Sequence, residues 1–354
     1  MKMDIAHKKF SILIAMLLSL VCTASANADF LYGAMSGGYT TDQIGIIIGN
    51  NQPTKSIVTN IGGTMGARIS SFRTETGGSR AAVCQYSIAN NPNGGDVIWI
   101  YDPYNTDWKK PLKELTQDTN PVSNVRGMAY AGKYLYACGY DFATVARFDT
   151  TNDGYKNDKT FNLLNDGKHH AEAIVAYKGF VYAVVTHAAN PWAGDGGYAK
   201  NRLIKFDAAL NVVTSMDLNG KNIDGGTVGA VSLQGSKLYI ASIGGAQSYS
   251  GKPNPGSNID VVDLETLEVK ELISVQTLKD QFADDEDLFG EWSKDAYPCD
   301  FKGIAVTPAG DVYIMANGWF PNTTAVFKTT EKELANAKTN AKSTWKLIKV
   351  FYFD

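Results

Sequence analysis

The chain has 354 residues, carries 33 Lys and Arg against 36 Asp and Glu, and has a net charge of -3 with a pI near 5.9. No run of Lys or Arg exceeds two residues, so the electrostatic footprint of a nucleic-acid or anionic-lipid binder is missing and no nucleic-acid partner is expected. Charged residues make up only 19% while glycines number 34, the balance of a turn-rich β protein with short strands and an amide- and hydroxyl-rich surface.

Lys8 and Lys9 precede an apolar run over 10–22, and Ala26-Asn27-Ala28 supplies a small-x-small cleavage pattern, so residues 1–28 read as a signal peptide. Cys22 closes the run, but Val21 stands where a lipoprotein signal wants a small residue. The run is short for a membrane helix, which needs roughly 20 apolar residues, and no later segment reaches that length. The expectation is an exported protein, periplasmic or secreted and not membrane-spanning, with one domain over 29–354.

Within that domain the first strands are expected at 30–36, 44–49 and 56–61, then at 67–72, 80–86, 96–101 and 111–115. A cassette then occurs four times: a short apolar run, a turn with Gly, and an aliphatic-Tyr strand. It reads Gly132-Lys133-Tyr134-Leu135-Tyr136, Gly179-Phe180-Val181-Tyr182, Gly235-Ser236-Lys237-Leu238-Tyr239 and Gly310-Asp311-Val312-Tyr313, each after an apolar run. Such a unit cannot bury its own apolar faces and must stack on neighbours. Third strands end in Tyr101-Asp102, Phe148-Asp149, Phe206-Asp207 and Val262-Asp263, where the Asp suits an Asx turn. Fourth strands follow at 111–115, 160–163, 212–218 and 269–273.

Four antiparallel strands per unit is a propeller blade, and the count is six blades, or seven if the gaps hide degenerate strands. The last strand, over 344–353, carries Phe351-Tyr352-Phe353, which could help close the ring on the first blade. Residues 274–298 read as a partly helical insertion. Cys84 and Cys138 occupy matching places in successive units, so they would point the same way on sheets about 10 Å apart, as buried free thiols.

The run Asn258-Ile259-Asp260-Val261-Val262-Asp263-Leu264-Glu265-Thr266 resembles the strand-turn-strand signature of YVTN-type β-propellers. Phe301-Lys302-Gly303-Ile304-Ala305-Val306-Thr307-Pro308-Ala309-Gly310-Asp311 is similar to NHL and gluconolactonase-like blades. The resemblance implies an all-β propeller of four-stranded antiparallel blades. It leaves activity open, because these blades serve binding proteins, lactonases and scaffolds alike.

In a propeller the second-to-third turns and the links between blades open on one face, and here those are the long ones: 87–95, 186–201, 242–258 and 318–323, with the insertion. They carry aromatic residues, Tyr140, Trp192, Tyr249, Trp319 and Phe320 among them. Such rings beside Asn and Gly form platforms for a small molecule, a glycan or a protein partner, or simply pin their own loops. Aligning the cassettes puts Arg126, Glu172, Gly229 and Lys302 at one position where the innermost strand begins. Asn124, His170, Thr227 and Asp300 fall two residues earlier. Charged residues there, at the mouth of a channel, either form an ion-pair plug or hold a ligand.

Glu172, Asn124 and Asp300 resemble the acid-amide-acid set with which gluconolactonase-type propellers hold a divalent cation such as Ca²⁺, although Arg126 and Lys302 would repel one. His169 and His170 point to opposite strand faces, so only His170 shares the side of Glu172. The leading expectation is a binding protein without a cofactor. The alternative is a cation-assisted hydrolase of the lactonase or sugar-ester type.

Overall fold

In the computed structural model, the described residues span 30–352 except 37–41, 49–54, 60–66, 86–96, 103–109, 117, 141–143, 163–168, 189–197, 219–226, 244–257, 275–276, 279–280, 283–299, 318–322 and 337–344. The segment 1–28 and Cys299 lie outside them, as does most of 274–298. They form antiparallel sheets in strict chain order. The first has three strands, β1 (Phe30–Ser36), β2 (Asp42–Ile48) and β3 (Lys55–Thr59). The next has four, β4 (Ala67–Arg73), β5 (Ser79–Gln85), β6 (Ile98–Tyr101) and β7 (Lys113–Leu115).

A third sheet follows with β8 (Val125–Ala131), β9 (Tyr134–Gly139), β10 (Thr144–Asp149) and β11 (Lys156–Asn162). The fourth comprises β12 (His169–Tyr177), β13 (Phe180–Ala188), β14 (Tyr198–Phe206) and β15 (Val212–Asp217). The fifth is β16 (Thr227–Gln234), β17 (Lys237–Ile243), β18 (Asn258–Asp263) and β19 (Val269–Ser274). The sixth is β20 (Asp300–Val306), β21 (Asp311–Asn317), β22 (Thr323–Thr330) and β23 (Lys346–Tyr352).

Each sheet is a meander, and the cassette glycine takes positive φ at the short turn between its first two strands, as at Gly132 (φ 56) and Gly235 (φ 58). That backbone region is open to glycine at no steric cost. Among the described residues regular helix is confined to short pieces such as α1 (Glu331–Asn336), and no helix is long and apolar enough to cross a membrane. Helix α1 is fixed by a reciprocal cap: Glu333 N–H donates to Thr330 Oγ1 and Thr330 N–H to Glu333 Oε2, both at 3.1 Å.

The core lies in slabs between consecutive sheets, because each strand buries alternate residues against the neighbour on either side. Leu135, Ala137 and Phe148 pack toward the second sheet with Cys84 and Ile100. Tyr136, Cys138 and Val145 pack the other way, against Ile174, Val181 and Phe206 of the fourth. Cys84 and Cys138 are buried free thiols in successive slabs, pointing the same way. Burial, then the nearby Glu172 charge, pushes the Cys138 thiol well above its ordinary range, which keeps it unreactive.

The cassette tyrosines tie sheet to sheet. Tyr136 Oη donates to the Ala208 carbonyl at 2.9 Å, Tyr182 Oη to the Leu264 carbonyl at 3.4 Å, and Tyr239 Oη to the Glu331 carboxylate. Each acceptor lies one or two residues beyond the third strand of the following sheet. The Asp residues closing those strands make the expected Asx turns: Asp149 Oδ1 accepts from Thr151 N–H, Asp207 Oδ1 from Ala209 and Asn211, and Asp263 Oδ1 from Glu265 and Thr266. The C-terminal strand does not join the first sheet. β23 pairs with β22, with Phe351 opposite Thr324 and Tyr352 opposite Thr323, completing the sixth sheet. Its register is set by a full antiparallel partner, which outweighs a shared edge with a distant strand.

Candidate functional site

The position that aligns Arg126, Glu172, Gly229 and Lys302 is a register break in every one of their sheets. Pairing between β8 and β9 jumps from Val125↔Gly139 to Gly127↔Cys138 and leaves Arg126 as the extra residue. Between β12 and β13 the jump from Ala171↔Val185 to Ala173↔Val184 leaves Glu172. Gly229 and Lys302 are left in the same way, on β16 and β20. A bulge bends its strand and re-aims one side chain away from the regular alternation, so four strands deliver one re-aimed position each near their start.

Two glycines bring the charged members together. A Cβ on Gly127 would stand 2.9 Å from the Ile174 nitrogen and 3.1 Å from Ala173 Cα, so β8 and β12 approach closely there. A Cβ on Gly139 would stand 2.3 Å from the Ser123 carbonyl oxygen, so the chain entering β8 lies directly on the end of β9. Asn124 takes a left-handed backbone conformation (φ 54) and its carbonyl accepts the Tyr140 N–H at 2.9 Å. This lays Tyr140 over the start of β8.

Arg126 and Glu172 are then neighbours across two sheets, with Nη1 to Oε2 at 3.9 Å and side chains 8% and 0% exposed. The Arg126 guanidinium carbon stands 4.5 Å from the Tyr140 ring centroid. The His170 ring stacks on Tyr140 with centroids 3.8 Å apart and planes 11° apart. His170 Nδ1 lies 2.9 Å from the Tyr140 carbonyl oxygen. A carbonyl only accepts, so Nδ1 is the donor in this contact.

Of the residues expected at this mouth, Asn124, Arg126, His170 and Glu172 therefore come together. Asp300 and Lys302 stand on β20 at the equivalent place, and their side chains lie outside the described residues, as do Trp192, Tyr249, Trp319 and Phe320 altogether. Sequence alignment placed Tyr140 only among the loop aromatics. Its part in the cluster depends on the Asn124 and Gly139 contacts, which leave no mark in spacing.

The arrangement offers a guanidinium, a carboxylate and two stacked rings, suited to planar or charged groups through cation–π and bidentate contacts. Among the described residues no group of three or more His, Cys, Asp or Glu gathers in one place. The carboxylate of Glu172 faces the Arg126 guanidinium.

No protein-family profile and no curated relative match the chain. Among solved structures, it is similar to a 6-phosphogluconolactonase candidate of Bacteroides uniformis at 13% identity and a TM-score of 0.51, over 92% of this chain and 83% of that one. The extracellular domain of a candidate one-component system of B. thetaiotaomicron aligns at 14% identity and a TM-score of 0.44 over 85% of this chain, which spans only 32% of that longer protein. Myxococcus xanthus glutaminyl cyclase aligns at 11% identity and a TM-score of 0.34, over 81% of this chain and 97% of its own. The likeness to the Bacteroides uniformis structure agrees with the sheet order in pointing to a propeller-like fold.

Proposed function

We propose that the chain is an exported six-bladed β-propeller that binds a ligand or partner protein on its long-loop face and does not turn over a substrate. In this reading its recognition groups at the channel mouth are Arg126, Tyr140, His170 and Glu172, with Asp300 and Lys302 contributing from the sixth sheet. Trp192, Tyr249, Trp319 and Phe320 supply the surrounding loop contacts. The observation that carries it is the buried Arg126–Glu172 pair held at two aligned bulges beneath the stacked Tyr140 and His170 rings. A buried ion pair is weak as a stabilising device, since apolar packing often does as well. Its presence at positions built to re-aim side chains fits recognition better than scaffolding.

The second reading, a lactonase, draws support from the likeness to the Bacteroides uniformis protein and from a histidine, His170, on the same strand as Glu172. It requires a cation at Glu172 with Asn124 and Asp300, and the guanidinium beside Glu172 works against one.

The test is a thermal-shift panel of sugars, sugar acids and amino acids on the mature protein. A compound that raises the melting temperature should lose its effect in Arg126→Gln and in Tyr140→Leu. A panel hit equally strong in both variants would remove the cluster from the binding surface.

A further inference from the structure

The slab between the fourth and fifth sheets changes character toward one end. Leu238, Ile240 and Val262 of the fifth sheet pack there with Val184 and Leu203 of the fourth. Two residues further along the same strand faces the side chains become polar. β17 runs from Ile240 to Ser242, and β18, whose Asp260 stands opposite Ile240, runs from Val262 back through Asp260 to Asn258. Ser242 in turn stands opposite Val228, itself part of the slab. Ser242, Asn258 and Asp260 therefore share one face, at the strand ends where residues 244–257 depart.

All three are buried, Asp260 and Asn258 to 0% exposure and Ser242 to 2%. Asn258 Nδ2 donates to Asp260 Oδ2 at 3.0 Å, which fixes the amide orientation, since the flipped amide would set its oxygen against the carboxylate. Ser242 Oγ, Asn258 Oδ1 and Asp260 Oδ1 are left without a hydrogen-bond partner. On β19, Glu271 stands opposite Asp260. Burial, with the Glu271 charge behind it, raises the Asp260 carboxyl from 3.8 to about 7.

Orphaned buried acceptors cost about 1–3 kcal/mol each, and the set here is all oxygen: carboxylate, amide carbonyl and hydroxyl. Two nearby carboxylates exclude an anion. A water has two protons, so it could donate to two of the oxygens and would leave the third orphaned, and it would leave the Asp260 carboxyl to keep its proton. A hard cation meets both needs. Mixed charged and neutral oxygens in an irregular array suit calcium, whereas magnesium demands near-ideal octahedral geometry and keeps several waters.

We propose that Asp260, Asn258 and Ser242 form an oxygen-donor site for a divalent cation of the calcium type, set between the fourth and fifth sheets and separate from the Arg126–Glu172 cluster. The cation would hold β17 and β18 together where the 244–257 connection leaves them.

The experiment is calorimetric titration of EDTA-stripped mature protein with calcium chloride, paired with thermal melts. We expect saturable binding and a melting temperature higher by a few degrees at about a 100-fold excess over Kd. Both should be lost in Asp260→Asn and kept in Glu172→Gln. Should Asp260→Asn fail to fold, Ser242→Ala keeps the charge and should weaken calcium affinity several-fold. Absence of saturable binding, or unchanged affinity in the folded Asp260→Asn or in Ser242→Ala, overturns this site and leaves the ligand-binding reading standing. Binding lost in Glu172→Gln and kept in Asp260→Asn overturns both.

Discussion

Asp260 and the strand-closing aspartates sit at opposite extremes of what a β-protein does to a carboxyl. Asp207 and Asp263 are held below the ordinary carboxylate range, first by backbone N–H donors of their own turns. Asp149 is held low chiefly by the Lys133 ammonium, with Thr151 adding to it. The stability these groups contribute is present above the ordinary carboxyl pKa and lost as pH falls below it. Asp260 runs the other way, because burial and Glu271 raise it to about 7. The folded protein then binds a proton that the unfolded chain has released, so stability falls as pH rises from about 4 to about 7. In EDTA, the melting temperature of wild type should therefore decline across that window, and the Asp260→Asn variant should decline less. Equal slopes would show that Asp260 is not the titrating group, and saturating calcium should flatten the wild-type slope.

At the scale of strands, the bulges and the tyrosines are the repeated devices. Aligning the cassettes was enough to see that Arg126, Glu172, Gly229 and Lys302 are equivalent, because strand starts and turn glycines fix the frame. The extra residue in each ladder was invisible, since a bulge differs from regular alternation by one position and nothing in Val125-Arg126-Gly127 announces it. The cassette tyrosines were legible as strand residues but not as ties, because each acceptor lies some seventy to ninety residues downstream in the next sheet. These ties differ in strength. Tyr136→Phe removes a bond to the neutral Ala208 carbonyl, which Arg147 Nη1 also approaches at 2.6 Å, and should cost about 1 kcal/mol in urea unfolding. Tyr239→Phe removes a bond to the Glu331 carboxylate and should cost about 1.5–3 kcal/mol. A larger loss from Tyr136→Phe than from Tyr239→Phe would contradict the tie as described.

For the molecule as a whole, chain-order stacking of antiparallel sheets was legible because the pattern of turn glycine and aliphatic-Tyr strand recurs, although its spacing does not stay constant. The three strands of the first sheet and the four of the second fell close to their expected places. The C-terminal strand at 344–353 was legible as a final strand but its partner was not, since composition alone cannot tell which edge a Phe-Tyr-Phe strand joins, whereas the Thr323–Lys328 ladder decides it. The polar set of Ser242, Asn258 and Asp260 was equally hidden: Asn258-Ile259-Asp260 reads as ordinary strand until its face is known. The central claim is that the mouth of this propeller-like body recognises and does not hydrolyse. Hydrolysis of gluconolactone and 6-phosphogluconolactone by the mature protein, with calcium, magnesium or zinc and with EDTA, tests it most directly. The account predicts no rate above the uncatalysed one under any condition; a cation-dependent rate abolished by Glu172→Gln would contradict it.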